Sequence, residues 1–153
     1  MRTVLFENIT GKVLEELDIP LRLKEDSRIF IENKFSGIIR KRKGWICVVS
    51  LYDQKNDLIY RNCYCNKRWK YLILPKPAIN LQRDQRSDQT ALQITASELA
   101  LFQDFYHSDF AFSPRGLVLL PGESRRIYYT GSLSKEITIS KIQKFNLNQY
   151  LLA

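Results

Sequence analysis

Apolar and polar residues alternate with a period of two along much of this chain. "ALQITAS" (91–97) sets Leu92, Ile94 and Ala96 on one face. "RIFIEN" (28–33) sets Ile29 and Ile31 against Arg28, Phe30 and Glu32, and "EITISKI" (136–142) sets Ile137 and Ile139 against Glu136, Thr138 and Ser140. Successive side chains of an extended strand point to opposite faces, so each stretch predicts a strand with one face in a core and one toward water.

The clearest hairpin is "GWICVVSLYDQKNDLIYRNCYC" (44–65), where two β-rich runs flank the polar loop "DQKND". Pairing Tyr52 with Leu58 across that loop sets Cys47 directly opposite Cys63. Cross-strand neighbours lie about 4.5–5.5 Å apart at Cα, within reach of a disulfide, and a packed pair of thiols is the expectation. "TASELALFQDFYH" (95–107) fits either one turn of helix after Ser97 or a kinked edge strand that buries Leu99, Leu101 and Phe105. "SPRGLVLLPGESRRIYYTG" (113–131) reads as a strand over "GLVLL", a Pro121-Gly122 turn and a returning strand. Arg125 and Arg126 then fall on opposite faces, Glu123 is solvated at the strand's start, and one of Tyr128 and Tyr129 must face outward.

Two units are expected. Pro75-Lys76-Pro77 favours extended backbone and removes ladder donors at two positions, so residues 66–78 read as a linker. The second unit's β structure is expected to end near Asn146, because "KFNLNQYLLA" shows little periodicity. The fold class is therefore all-β, with two sandwich-type units in tandem.

The chain has 153 residues, 44% of them hydrophobic, enough for a packed core. No apolar run approaches the roughly 20 residues of a membrane helix, and "MRTVLFENITGKVLEE" lacks the apolar centre of a signal peptide. The net charge of +8 raises nucleic-acid binding, since clustered cations release counterions from phosphate backbones. The charge is mostly dispersed, however, with dense runs only at "RKRKG" (40–44) and "NKRWK" (66–70), which suits solvated turns better than a groove. Three cysteines (Cys47, Cys63, Cys65) make no disulfide framework, and with a single histidine, His107, they offer no recognisable zinc set.

Catalytic chemistry finds little footing. Glu15 and Glu16 lie on a strand and point to opposite faces, Glu98 sits on an irregular segment, and Glu123 follows a turn. His107, Ser108 and Asp109 are sequence neighbours, whereas the members of a triad converge from separate segments. "GKV" (11–13) lacks the glycine spacing of a phosphate loop, so no cofactor is expected. Sugar binding is the more productive alternative, with Trp45, Trp69 and Tyr106 as stacking candidates and packing in the core as the competing role.

Four stretches in order resemble the C-terminal region of β-mannosidases of glycoside hydrolase family 2: "ENITGKVLEELDIPL" (7–21), "LIYRNCYC" (58–65), "LPKPAINL" (74–81) and "SDFAFSPRGLVLLPGESRRIYYTG" (108–131). The resemblance implies an immunoglobulin-like sandwich over residues 1–73 and a second over 78–153. It also implies that the first sandwich begins upstream of Met1, leaving an unprotected sheet edge and a tendency to self-associate. The implied role is non-catalytic: an accessory region that supports a catalytic barrel, its partner, and the barrel's substrate entrance. The family's paired glutamates stand on that barrel, and no segment of this chain matches them. An independent carbohydrate-binding module and a basic nucleic-acid-binding domain are the alternatives.

Overall fold

A computed structural model of the chain describes residues 1–21, 35, 37, 40, 44–84, 90–131 and 137–151. The expected strand at 28–33 and most of the basic run at 40–44 lie outside the described residues. The described chain is all-β, with three antiparallel sheets in two sandwich-like units, Met1–Ile73 and Leu74–Ala153.

The first unit contains β1 (Arg2–Glu7), β2 (Val13–Asp18), β3 (Trp45–Tyr52) and β4 (Leu58–Cys65), all antiparallel in the order β2-β1-β3-β4. In β1, Val4 and Phe6 face one side opposite Val48 and Ile46, while Thr3 and Leu5 face the other. All four are buried, so this strand is covered on both faces. Arg2 holds Glu16 of β2 at 2.6 Å, and Arg61 of β4 donates to Ser50 Oγ of β3 at 2.8 Å.

The β3–β4 loop is built as its composition predicts. Asp53 Oδ1 accepts from the backbone N–H groups of Lys55 (2.9 Å) and Asp57 (2.8 Å), and Asn56 takes the left-handed conformation at φ 66° that asparagine tolerates. Tyr52 does pair with Leu58, but a bulge lies between Leu51 and Tyr52, and Leu51 pairs with Tyr60. The extra residue moves the register by one, so Cys47 faces Tyr64 and Cys63 faces Val48. The expected Cys47–Cys63 pair is thereby overturned: the two side chains stand on opposite faces of the sheet, and all three cysteines are free.

The second unit packs a four-stranded sheet on a three-stranded one. The first has β5 (Ile79–Arg83), β6 (Ala91–Ala96), β8 (Phe110–Ser113) and β10 (Ser124–Gly131) in the order β5-β6-β10-β8. The second has β7 (Ala100–Tyr106), β9 (Leu117–Leu119) and β11 (Gln143–Phe145) in the order β11-β7-β9. Between them lies a core that includes Leu81, Leu92, Ile94, Phe105, Phe112, Leu119 and Ile127. Leu92, Ile94 and Ala96 share one buried face, as their alternation requires.

Residues 95–107 resolve as the kinked strand, not the helical turn. Phe102 takes φ 52° and the register shifts between Ala100 and Gln103, which lets Leu99, Leu101 and Phe105 all be buried. β7 is the middle strand of its sheet, not an edge. The expected strand at 136–142 is also corrected, because residues Ile139–Lys141 form a 3₁₀ turn. Ile137 and Ile142 are still buried, delivered to the core by a turn in place of a pleat.

The tail does not stop at Asn146. Residues Leu147–Tyr150 form a last 3₁₀ turn in which Asn148 is buried. Asn148 Oδ1 accepts from Leu101 N–H (3.0 Å), and its Nδ2 donates to the carbonyls of Leu99 (2.8 Å) and Pro75 (3.0 Å). Asn146 Nδ2 donates to Gln103 Oε1 at 3.1 Å, so amide side chains fasten the tail along β7.

The "LLPGE" corner turns, but its two strands do not pair. β9 hydrogen-bonds to β7, while β10 joins β6 and β8, so the corner carries the chain from one sheet to the other. Gly122, at φ 71°, supplies the left-handed residue the corner needs. Glu123 is not simply solvated: its carboxylate accepts from Leu120 N–H at 3.2 Å and lies 3.7 Å from Arg125. Arg126, on the opposite face, pairs with Asp84.

One further link across the three-stranded sheet titrates. Arg115, just before β9, donates to Asp104 Oδ2 of β7 through Nε (3.0 Å) and Nη2 (2.8 Å). Partial burial pushes the Asp104 carboxyl up, but the Arg115 hydrogen bonds, the Phe105 N–H and the guanidinium charge together outweigh it and hold the pKa below the usual 3.8. A lowered folded-state pKa contributes stability above the unfolded value, and that contribution is lost as pH falls through the folded one. The stability difference between the native chain and Arg115→Ala is therefore expected at neutral pH and should close below about pH 4. Urea titrations at a series of pH values check this, and a difference that persists or widens in acid would contradict it.

Candidate functional site

Tyr106 ends β7, and its outward direction follows from its neighbour. Phe105 is buried in the core, so strand alternation turns Tyr106 to the surface, where it is 57% exposed. Gln143 of β11 is its direct cross-strand partner, which places the phenol ring and the amide on one face as neighbours.

The chain then makes a tight turn over His107–Asp109 into β8, closed by a bridge between His107 and Phe110. Asp109 N–H donates to His107 Nδ1 at 3.1 Å, which makes Nε2 the protonated nitrogen of the neutral ring. The imidazole packs against Phe110 with centroids 5.1 Å apart, and Phe110 meets Tyr129 edge-on at 5.5 Å. These rings tie the turn to the core. Gly131 lies beneath Phe110, so close that a Cβ there would come within 2.3 Å of its ring.

Together with Thr138 and Lys141 at the 3₁₀ turn, these residues line a cavity of about 470 Å³. That volume lies within the range of small-ligand sites, about 300–1,000 Å³. The lining offers an aromatic face, two aliphatic hydroxyls (Ser108, Thr138) and the Tyr106 phenol, an amide, an imidazole, a carboxylate and an ammonium. Ser108 Oγ bonds to Asp109 Oδ2 at 3.3 Å, and Asp109 meets His107 through its backbone. The contacts serve the turn; they are not the serine-to-imidazole and imidazole-to-carboxylate contacts of a triad. Among the described residues no group of three or more His, Cys, Asp or Glu side chains is placed to hold a metal ion.

The other two stacking candidates belong to the first unit. Trp45 opens β3, is half-buried, and its backbone N–H donates to Asn66 Oδ1 at 3.0 Å. Trp69 opens the 3₁₀ turn Trp69–Tyr71 and is also half-buried. Neither lines the cavity beside Tyr106. The sequence named Tyr106 but not the partners that make it a site. Gln143 and Lys141 are more than thirty residues downstream, and only the β7–β11 register brings them alongside. His107 drew notice only as a catalytic suspect and as the lone histidine of a possible zinc set. Tyr128 is the outward member of its pair, and Tyr129 the inward one.

The cysteines are chemically quiet. Burial pushes Cys47 up to about 11, and burial, aided by Cys65, does the same for Cys63; Cys65 is raised as well, again by burial. At pH 8 only about one thiol in a thousand is then thiolate at the first two positions. In the folded chain, iodoacetamide labelling of Cys47 and Cys63 is expected to be slow and to quicken about tenfold per pH unit toward pH 10. Unfolding without reductant should release three titratable thiols; fewer would mean a bond the structure does not contain.

Among the described residues no helix is long and apolar enough to cross a membrane. No protein-family model and no curated protein matches this chain.

Proposed function

We propose that this chain is a non-catalytic accessory β-sandwich region that works with the catalytic barrel of a β-mannosidase-like glycoside hydrolase. The tandem all-β architecture is the observation that carries this reading, because the resembling stretches fall on its working parts. "GKVLEE" closes and forms the β1–β2 hairpin, "LIYRNCYC" is β4, "LPKPAINL" runs from the unit boundary into β5, and "LVLLPGE" is β9 with the corner that crosses between sheets. A rigid sandwich presents flat faces and fixed turns against which a larger domain can seat.

The test is reconstitution. The chain is mixed with a family 2 β-mannosidase barrel deprived of its own C-terminal sandwiches. Co-elution, with a rise in the barrel's thermal stability and in hydrolysis of an aryl β-mannoside, is the expected result. Failure to associate at micromolar concentration would count against the reading. An independent carbohydrate-binding role is the second reading, favoured by the open cavity beside Tyr106.

A further inference from the structure

We propose that the cavity beside Tyr106 binds a neutral pyranose unit of an oligosaccharide. One face of the sugar stacks on the Tyr106 ring, and its hydroxyls bond to Gln143, Thr138 and the His107 imidazole. The proposal gives the accessory region a ligand, but it stands on the cavity and not on the barrel.

Three observations carry it. The first is the pairing of a flat apolar surface with a two-way hydrogen-bonding group at one cross-strand position, Tyr106 opposite Gln143. A pyranose has the same two-sided character: a C–H face that an aromatic ring covers, and an equatorial rim of hydroxyls that both donate and accept. The Gln143 amide donates and accepts, Thr138 does the same, and His107, its Nδ1 occupied by Asp109 N–H, offers an N–H at Nε2.

The second observation is charge. The chain carries a net +8, yet among the described residues the cavity is lined by one ammonium, Lys141, and one carboxylate, Asp109. An anionic polymer would be met by a cationic surface, and an apolar ligand by a dry one. This lining matches a neutral, polyhydroxylated ligand. The third is rigidity: Tyr106 sits on the middle strand of its sheet, and the His107–Phe110 turn is fixed by ring packing to the core. Stacking on a ring carried by a paired strand, beside a fixed turn, orders little backbone on binding.

The experiment titrates the full chain with four neutral hexasaccharides, β-linked manno-, cello-, xylo- and chitohexaose, and with heparin as the anionic probe. Amide NMR shifts locate the site and calorimetry gives the affinity. At least one neutral hexasaccharide is expected to bind at micromolar to millimolar concentration, with shifts clustered at Tyr106, His107, Thr138 and Gln143. Tyr106→Ala should weaken it about tenfold or more, Tyr106→Phe should stay within about threefold, and Gln143→Ala should weaken it about three- to tenfold. Gln149→Ala, exposed and outside the cavity lining, should change little. The three substituted side chains are exposed, so the variants retain the fold, which their amide spectra verify.

Three outcomes would overturn the proposal: no shift with any neutral hexasaccharide at millimolar concentration, binding that Tyr106→Ala leaves intact, or binding of heparin alone that collapses with salt. None of these bears on whether the chain seats against a barrel, so reconstitution and glycan binding fail separately.

Discussion

Asn148→Ala is expected to lower the unfolding free energy of the second unit by about 3–4 kcal/mol, because it strips the partner from three backbone groups at once. The side chain is 1% exposed and answers Leu101 N–H, the Leu99 carbonyl and the Pro75 carbonyl. A typical hydrogen bond contributes only about 1 kcal/mol net, since water would otherwise make it. The larger effect comes from what remains: β7 is kinked here, and groups next to its bulge have no ladder partner to fall back on. Asn148→Asp should be no better. It keeps an acceptor for Leu101 but sets a carboxylate against two carbonyl oxygens in a buried place. Gln149→Ala, next door and exposed, should change stability by less than about 0.5 kcal/mol. Both tryptophans lie in the first unit, so the readout must be one that the second unit dominates. Amide hydrogen exchange at Leu101, Gln103 and Phe105 serves. Loss of protection in Asn148→Ala but not in Gln149→Ala is the expected pattern, and equal protection in both would refute the role given to Asn148.

The amide clamp was invisible in "KFNLNQYLLA" for a physical reason. Periodicity reports which apolar residues share a face, and a buried asparagine carries no such mark. Asn148 is buried where β7 presents unpaired backbone at its bulge, and Asn146 where its amide meets the buried Gln103 side chain; both places are fixed by a strand some forty residues away. The strand faces of β6 and β10, by contrast, were legible, because Leu92, Ile94 and Ile127 alternate with polar neighbours on strands with one wet face.

Register was the next thing lost. Tyr52 and Leu58 were rightly paired from the loop, yet one bulged residue moved every later pair and sent Cys47 and Cys63 to opposite faces. A bulge leaves no signature in composition when the extra residue, as here within "LIY", is an ordinary β-former. The candidate site suffered the same limit. Tyr106 was nameable as an aromatic near a turn, but its worth depends on Gln143 standing opposite it, which is a property of pairing and not of either segment. At 136–142 Ile137 was rightly turned inward, but Ile139, set beside it on a strand, is only half-buried and stands in a 3₁₀ turn. Ile137 and Ile142 reach the core from either side of a 3₁₀ turn, and a short apolar run does not distinguish the two routes.

In the first unit the largest loss is expected from Phe6→Ala, about 3–5 kcal/mol, the usual range for emptying a buried phenylalanine site. Phe6 is 1% exposed near the end of β1, opposite Ile46, which is fully buried, and two residues from Val4, opposite Val48. Those four side chains share one face, so deleting the ring opens a void among neighbours anchored by the ladders on both sides of β1. Strands β2 and β3 both hydrogen-bond to β1, and neither can move in to fill the space without breaking its register. Phe6→Leu, which keeps much of the apolar volume, should lose less than half as much. Val13→Ala, at the adjoining position of β2 but 51% exposed, should stay within about 0.5 kcal/mol. Tryptophan fluorescence during urea unfolding is suited to this unit, because Trp45 sits one residue from Ile46 on β3 and directly opposite Glu7. The midpoint should fall steeply for Phe6→Ala, modestly for Phe6→Leu and hardly at all for Val13→Ala, with the slope unchanged. If Phe6→Ala is too unstable to purify, the order of the other two still decides. A loss in Val13→Ala equal to that in Phe6→Leu would mean that β1 is not the buried centre of its sheet.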